Sequence, residues 1–527
     1  MGGKSIISDR FFFKYPGDNM VYIRKSVWAN GGDFSDPILY WYAKGVGKLR
    51  QKALADNTSW NFMAAIHGID IDKPDQLSLW TKYGYYTAGE PLPSQADQKL
   101  YWKQCQHGSW YFLPWHRGYI WSIEALVRAQ IVAMGGPADW AMPYWNYSDT
   151  TNPKARIMPP AFAQEEFEGV PNPLYIKQRY GSGTAPIVIT PEDVNLDALN
   201  WPLFKGVSSG GSPGFGGVKT GFSHEGSTYG LLESLPHNAV HIDVGGHYKN
   251  NVALPGLMSK PDTAGLDPIF WLHHANIDRL WAQWNAASPL HKNPIDPAWL
   301  NGPQDRQFVV PNPDGTPYYY KPSDMLETTS PKLDYTYDQF IVAQAPALTA
   351  TATVGVKAVT EPKAAELAGA NANVLALSGE RTSSVVRLDD ASLALFAAPK
   401  TLALGLRGGD APRYNYFLNL ENIRAQQDGF VIDVYLNLPD DADHQPRLDL
   451  HAGSISLFGV SNASKANSSH GGKGVTQVLD ITTLLSGLIH SGDIAKSGLN
   501  VHLVPRIALG DDAKVTVERI SLYRQPG

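Results

Sequence analysis

Seven histidines in three stretches supply the chemistry available to this sequence. His67, His107 and His116 occur in the contexts NFMAAIHG, QCQHGSW and FLPWHRGY, His237 and His241 in HNAVH, and His273 and His274 in DPIFWLHHANIDRLW. A spacing of four puts His237 and His241 one turn apart on one helix face, within reach of a single metal ion. In the third stretch His274 shares a stripe with Phe270 and Ile277, whereas His273 lies about 100° away, so His274 is the candidate ligand. One imidazole in an apolar helix is more often a hydrogen-bonded core residue than a ligand. Six of them, embedded in Trp-, Phe- and Leu-rich surroundings, would be costly to bury without partners, and two ions sharing six neutral nitrogens would satisfy them. Imidazole-only coordination suits copper, zinc, nickel or iron. A hydrolytic dizinc site normally recruits carboxylates, and the motifs offer only Asp278. Six neutral ligands leave the metal charge intact, which favours reductive binding of O2 by two cuprous ions.

The elements that must position these rings follow from caps and periodicity. Ser35-Asp36-Pro37 forms an N-cap with proline in the first turn and opens a helix to about Ala55. The segment from His116 to Met134 repeats apolar residues at Ile120, Ile123, Val127 and Ile131 and stops at Gly135-Gly136. Asp267-Pro268 opens a third helix, with Phe270, His274, Ile277, Trp281 and Trp284 on one face. All 15 Trp lie between Trp28 and Trp299, so the aromatic and imidazole-rich parts coincide in one mainly helical domain. An Ala/Thr/Val-rich stretch without aromatic residues, from Ala345 to Val374, reads as a linker. Beyond it come short alternating runs: SSVVRL, TLALGL, RYNYFLNL, FVIDVYLNL, SISLFGV, TQVLDI, VHLVPRI and KVTVERISLYR. The expected fold is therefore multidomain. Residues 1–345 form the helical domain, 346–374 the linker and 375–527 an antiparallel, jelly-roll-like β-sandwich.

Composition narrows the partners. With 44 basic against 50 acidic residues, the chain has no broad positive field for nucleic acid or an anionic membrane. The single cysteine cannot form an internal disulfide or, alone, a thiolate metal site. The N-terminal residues lack an uninterrupted apolar core and a cleavage site, and no stretch reaches the roughly 18 apolar residues of a spanning helix. The expectation is a soluble, cytoplasmic protein acting on small molecules.

In their order and spacing, FLPWHRGY, ESLPHNAVH followed by GG, and DPIFWLHHANIDRLW resemble the tyrosinase and polyphenol oxidase family of type 3 binuclear copper proteins, over roughly residues 20 to 340. The resemblance implies a four-helix-bundle dicopper core. His67, His107 and His116 would hold copper A, His237, His241 and His274 copper B, and O2 would bind side-on between them as peroxide. Cys105, two residues before His107, has the offset at which fungal members join the cysteine to that histidine as a thioether. Glu233 and Asn238 match residues that hold a water near copper B. Such a water could take the phenol proton, whose pKa near 10 must be overcome before the phenolate binds copper. Met258 and Pro261 correspond to the substrate-site rim, where Pro261 would leave copper A more open than the aromatic gate of some plant members. Asp278 would accept from a ligand or pair with Arg279, while His224 and His247 read as structural. Tyr335-Thr336-Tyr337 and Arg24 match the signature that joins the two ends of the catalytic domain. The C-terminal part loosely resembles the β-rich domain that can cover the copper site and keep such enzymes latent.

The implied activity is ortho-hydroxylation of monophenols and oxidation of o-diphenols to o-quinones. The alternatives are a catechol or o-aminophenol oxidase without significant monophenolase activity and, in another class, an oxygen carrier of the haemocyanin type. Expected partners are phenols, O2, a copper chaperone and, within the chain, the C-terminal domain.

Overall fold

The computed structural model describes residues 21–339, 361–397 and 414–527, apart from residues 71, 73–75, 184, 224–226, 249–250, 380, 440–446, 467, 469–470, 493 and 495–497. His224 and the run TLALGL, residues 401–406, lie outside the described residues.

Five helices position the catalytic half: α1 (Pro37–Arg50), α2 (Trp60–Gly68), α3 (Phe112–Ala133), α4 (Ala239–Gly245) and α5 (Pro268–Ala287). The expected caps form. The Asp36 carboxylate accepts from the Ile38 N–H and that of Asp267 from the Ile269 N–H, each with proline at the next position. Helix α1 packs on α3 and α2, and α3 packs on α5. Val127 and Ile131 of α3 lie so close to Gly45 of α1 that a methyl group there would collide with them. Nine fully buried tryptophans, from Trp60 to Trp299, fill the space around the bundle. Strand β1 (Tyr22–Arg24) pairs in parallel with β2 (Tyr335–Tyr337) and joins the ends of this domain.

Asp278 takes part in this closure, not in the site where it was expected. Its carboxylate accepts from Arg24, Arg117 and the hydroxyls of Tyr335 and Tyr337, and Arg24 also binds Glu124 at 2.7 Å. Burial opposes its ionisation, but Arg117 and Arg24 hold its carboxyl below the usual range. Arg279, its expected partner, bonds Asn276, Gln283 and Asn146 instead.

The C-terminal half contains eight main strands: β3 (Glu366–Ala370), β4 (Thr382–Leu388), β5 (Tyr414–Ile423), β6 (Val431–Leu436), β7 (His451–Ser456), β8 (Val475–Asp480), β9 (Leu499–Pro505) and β10 (Arg519–Pro526). They form one antiparallel sheet in the order β7-β6-β9-β4-β3-β10-β5-β8, in place of the two packed sheets expected. The sheet curls until its edges approach. The Gln477 side chain on β8 accepts from Ser456 N at 3.1 Å and donates to Ser456 O at 2.7 Å, so an amide side chain does the work of a strand backbone. Strand β3 lies inside the stretch read as a linker. Its sequence, ELAGA, has no aromatic or β-branched residue to announce a strand, and its place between β4 and β10 comes from long-range pairing. The sheet has its own apolar core, and a third small cluster of Ile242, Val431 and Phe458 bridges the halves. Among the described residues no helix is long and apolar enough to cross a membrane.

Candidate metal centre

The histidines gather into two buried groups. Ligand atoms of His67, Cys105, His107 and His116 lie within 4.8 Å of one another, as do those of His237, His241, His273 and His274. The groups face each other, with the rings of His116 and His274 stacked at 4.4 Å between centroids and 14° between planes. The first group draws on the end of α2, the loop before α3, and α3 itself. The second draws on α4, the turn before it, and α5.

Carbonyl oxygens, three from the backbone and one from a side chain, set the orientation of four rings. Nδ1 of His67 lies 2.6 Å from the Pro261 carbonyl, that of His116 2.8 Å from the Phe112 carbonyl, and that of His241 2.9 Å from the Met258 carbonyl. His237 Nδ1 lies 2.8 Å from Asn238 Oδ1. A carbonyl oxygen only accepts, so each Nδ1 carries the proton and each Nε2 keeps its lone pair. Nε2 of His274 is 3.3 Å from that of His237 and 3.4 Å from that of His241. Three imidazole nitrogens converging on one point suit a shared cation. Burial first, and neighbouring imidazoles second, hold His237 and His241 well below the usual histidine range. For His116 and His274 the order of causes is the same. These rings are neutral, as metal ligation requires. The residues present therefore fit two imidazole-bound metal ions, with no carboxylate in either group.

His273, set aside in the stripe argument, belongs to the second group by distance. Its Nδ1 is 3.1 Å from the Tyr147 hydroxyl, and its ring stacks on His237 at 5.3 Å. Sequence spacing could not show this contact, because Tyr147 reaches α5 from outside the motif.

Cys105 Sγ lies 3.6 and 3.4 Å from the two ring nitrogens of His107 and 3.4 Å from His116 Nε2. Burial, and then the charge of Glu233, push its thiol well above the usual range. Glu233 was expected to hold a water near copper B. Leu235, at φ −137° and ψ 130°, interrupts the helical path to His237, and the Glu233 carboxylate reaches the first group, accepting from Gly108 N at 2.8 and 3.0 Å. Burial raises its pKa well above the usual range, against the pull of the Gly108 and Gly230 N–H groups. Asn238 spends its Oδ1 on His237, while its buried Nδ2 has no partner among the described residues.

Met258 and Pro261 are both buried in the closed chain. Their carbonyls hold His241 and His67, so this segment couples the two groups. A methyl group on Gly459 of the C-terminal half would sit 3.3 Å from Pro261 Cγ, and Gly459 is at φ +76°.

Three phenyl rings wall the centre. Phe270 packs against His67 and His274 at 4.9 and 4.2 Å, and Phe112 against His116 and His237 at 4.5 and 4.7 Å. The third, Phe458, comes from the turn after β7. It lies flat on His241 at 4.0 Å and 19°, with its edge toward His107 and His237. Nothing in SISLFGV distinguishes this ring from ordinary sheet core.

Residues 57–183 and 190–287 match the common central domain of tyrosinase, and residues 364–525 match a domain of unknown function, DUF7868. Over 506 residues the chain is 33% identical to tyrosinase HcTyr1 of Hahella sp. (strain CCB-MM4), covering 94% of this chain and 98% of that one. The chain belongs to the tyrosinase family. The two groups of this tyrosinase-family chain are thus a dicopper site, O2 is the family's co-substrate, and the protein is a copper oxidoreductase. It is also 30% identical over 244 residues to polyphenol oxidase E of Solanum lycopersicum, across 44% of this chain and 38% of that one. The fold resembles latent apple tyrosinase, with a TM-score of 0.60 at 22% identity, over 97% of this tyrosinase-family chain and 99% of the apple chain.

Proposed function

We propose that the chain is a phenol oxidase that hydroxylates monophenols at the ortho position and oxidises o-diphenols to o-quinones, and that Phe458 holds it latent. The observation that carries this reading is the pair of facing imidazole groups walled by phenyl rings. His67, His107 and His116 would bind copper A, and His237, His241 and His274 copper B. Bound copper supplies the electron transfers and the activation of O2. The chain supplies the rest. The carbonyls of Phe112, Met258 and Pro261 and the Asn238 amide fix imidazole orientation, and the phenyl walls exclude bulk water. Asn238 Nδ2 is a donor without a partner and, with Glu233, would hold a water able to take the phenol proton. A substrate ring would take the place of Phe458, flat on His241. Cys105 Sγ, nearly equidistant from both His107 nitrogens, suits a thioether at Cε1, the carbon between them, with two hydrogens lost to an oxidant such as O2.

Glu233 favours a second reading, a catechol oxidase. A carboxyl taken up by Gly108 and driven toward its neutral form by burial is a poor base for a phenol. Copper-loaded protein, assayed with a monophenol, its catechol and an o-aminophenol before and after proteolysis between the halves, tests both. Turnover of monophenol and catechol, rising on proteolysis, is expected. Catechol turnover alone selects the second reading, and no turnover of any substrate removes both. The peptide carrying Cys105 and His107 should be lighter by two hydrogens and resist alkylation.

A further inference from the structure

Phe458 is not the only buried residue that the C-terminal half presses on the catalytic half. Asp428, from the loop before β6, carries a carboxylate that is wholly buried at the junction. The two are tied together: the Asp428 carboxylate accepts from Ser461 N at 2.8 Å and from the Ser461 hydroxyl, three residues beyond Phe458. On the catalytic side it meets Lys260, whose Nζ lies 3.2 Å from Asp428 Oδ2. Lys260 sits between the two residues whose carbonyls orient His241 and His67. The C-terminal half thus offers the catalytic half a phenyl ring on an imidazole and a carboxylate on an ammonium.

We infer that Lys260 is a specificity-determining residue that selects phenols carrying a carboxylate on a side arm, occupying the positions that Phe458 and Asp428 hold in the closed chain. The inference rests on the phenol oxidase reading. Its geometry does not depend on copper, because Lys260 belongs to the segment 258–261 and not to either histidine group. Asp262 flanks Lys260 and helps keep it charged, and it remains when the C-terminal half is displaced. Its presence does not prevent a second carboxylate from binding the ammonium, as Asp428 does. An ammonium that is mostly buried and accepts an anion from outside its own domain discriminates between anion and neutral isostere more strongly than an exposed one.

The test uses the full chain with Phe458→Ala and Asp428→Asn, which removes the ring and the anion but keeps both domains. Calorimetric titration of this protein, copper-free and copper-loaded, compares 3-phenylpropionate with 3-phenylpropionamide. The carboxylate should bind about tenfold more tightly, the preference should vanish with Lys260→Met added, and it should persist with Lys260→Arg. Equal binding of the two probes, or a preference that survives Lys260→Met, overturns the inference. Turnover of 3-(3,4-dihydroxyphenyl)propionate and its amide should show the same split in KM with kcat unchanged. Should neither catechol react, the phenol oxidase reading fails, and the titration still decides the role of Lys260.

Discussion

The two sides of the metal centre are held in place by different means. On the catalytic side each imidazole sits on a packed helix or on a loop tied across the domain, and most have a second hydrogen bond to a fixed carbonyl. On the C-terminal side one phenyl ring is presented from a turn, held by Tyr229 Oη donating to the Phe458 carbonyl at 2.9 Å and by Ser456 Oγ donating to the Asn238 carbonyl at 2.9 Å. Lys260–Asp428 and the Arg506 bridge between Asp193 and Asp433 complete the attachment. The imidazole side must hold its geometry through a reaction, whereas the phenyl side must hold only until it is released. A rigid wall and a detachable one therefore meet at the same centre.

The comparison is broken most severely at the rigid wall. His274→Ala removes the ring that stacks on His116 and shares its point of convergence with His237 and His241. Copper content should fall from two per chain to one or fewer, and turnover to background, as measured by metal analysis and catechol assay. If two coppers and activity survive, His273 replaces it, and the assignment of the second group changes.

Phe458→Ala acts on the detachable wall. Burying a phenyl side chain is worth about 2 kcal/mol, so closure should weaken by roughly 30-fold. The untreated full-length variant should gain catechol turnover to that order, and proteolysis should add little further. Unchanged latency would mean that the remaining contacts block the site without the ring.

A smaller effect is expected from pH. His247, buried at the junction, has Nε2 3.0 Å from the Asp428 carbonyl and Nδ1 without a partner among the described residues. Burial lowers its pKa in the closed chain, against the pull of the Asp428 carbonyl and carboxylate. The open chain then binds the proton more readily. Closure is at full strength above the open-state value of about 6.5 and weakens as the pH falls below it. Lys260 stays charged over this range, and its partners Asp428 and Asp262 face the same junction. Latent activity should rise in mild acid, and His247→Gln should flatten that rise relative to the Phe458→Ala chain, whose profile reports the centre alone.

These contrasts also explain what could be read from sequence. The helix caps at Asp36 and Asp267 and the closeness of His237 to His241 were legible because each depends on neighbours within about one turn. The Glu233 contact with Gly108 was hidden because the two lie more than 100 residues apart in sequence, brought together past the irregular backbone at Leu235. Asp278 was read as a partner of a ligand or of Arg279, yet its partners Arg24, Tyr335 and Tyr337 come from the ends of the domain. Strand β3 and Phe458 were hidden because ELAGA and SISLFGV carry no local mark of the sheet or the centre they join.

Ser456 is where the two walls touch most lightly, and its change should have the smallest effect. Its backbone is clasped by Gln477 across the sheet edges, which fixes the end of β7, and its hydroxyl alone reaches the Asn238 carbonyl. Ser456→Ala therefore leaves the sheet intact and removes one neutral hydrogen bond between the halves, worth about 1 kcal/mol. Latent activity should rise about fivefold, well short of the Phe458→Ala gain, with the monophenol-to-catechol ratio unchanged because Asn238 keeps its bond to His237. A change in that ratio would show that the C-terminal half tunes Asn238 as well as covering it, and the separation between a working wall and a removable one would no longer hold.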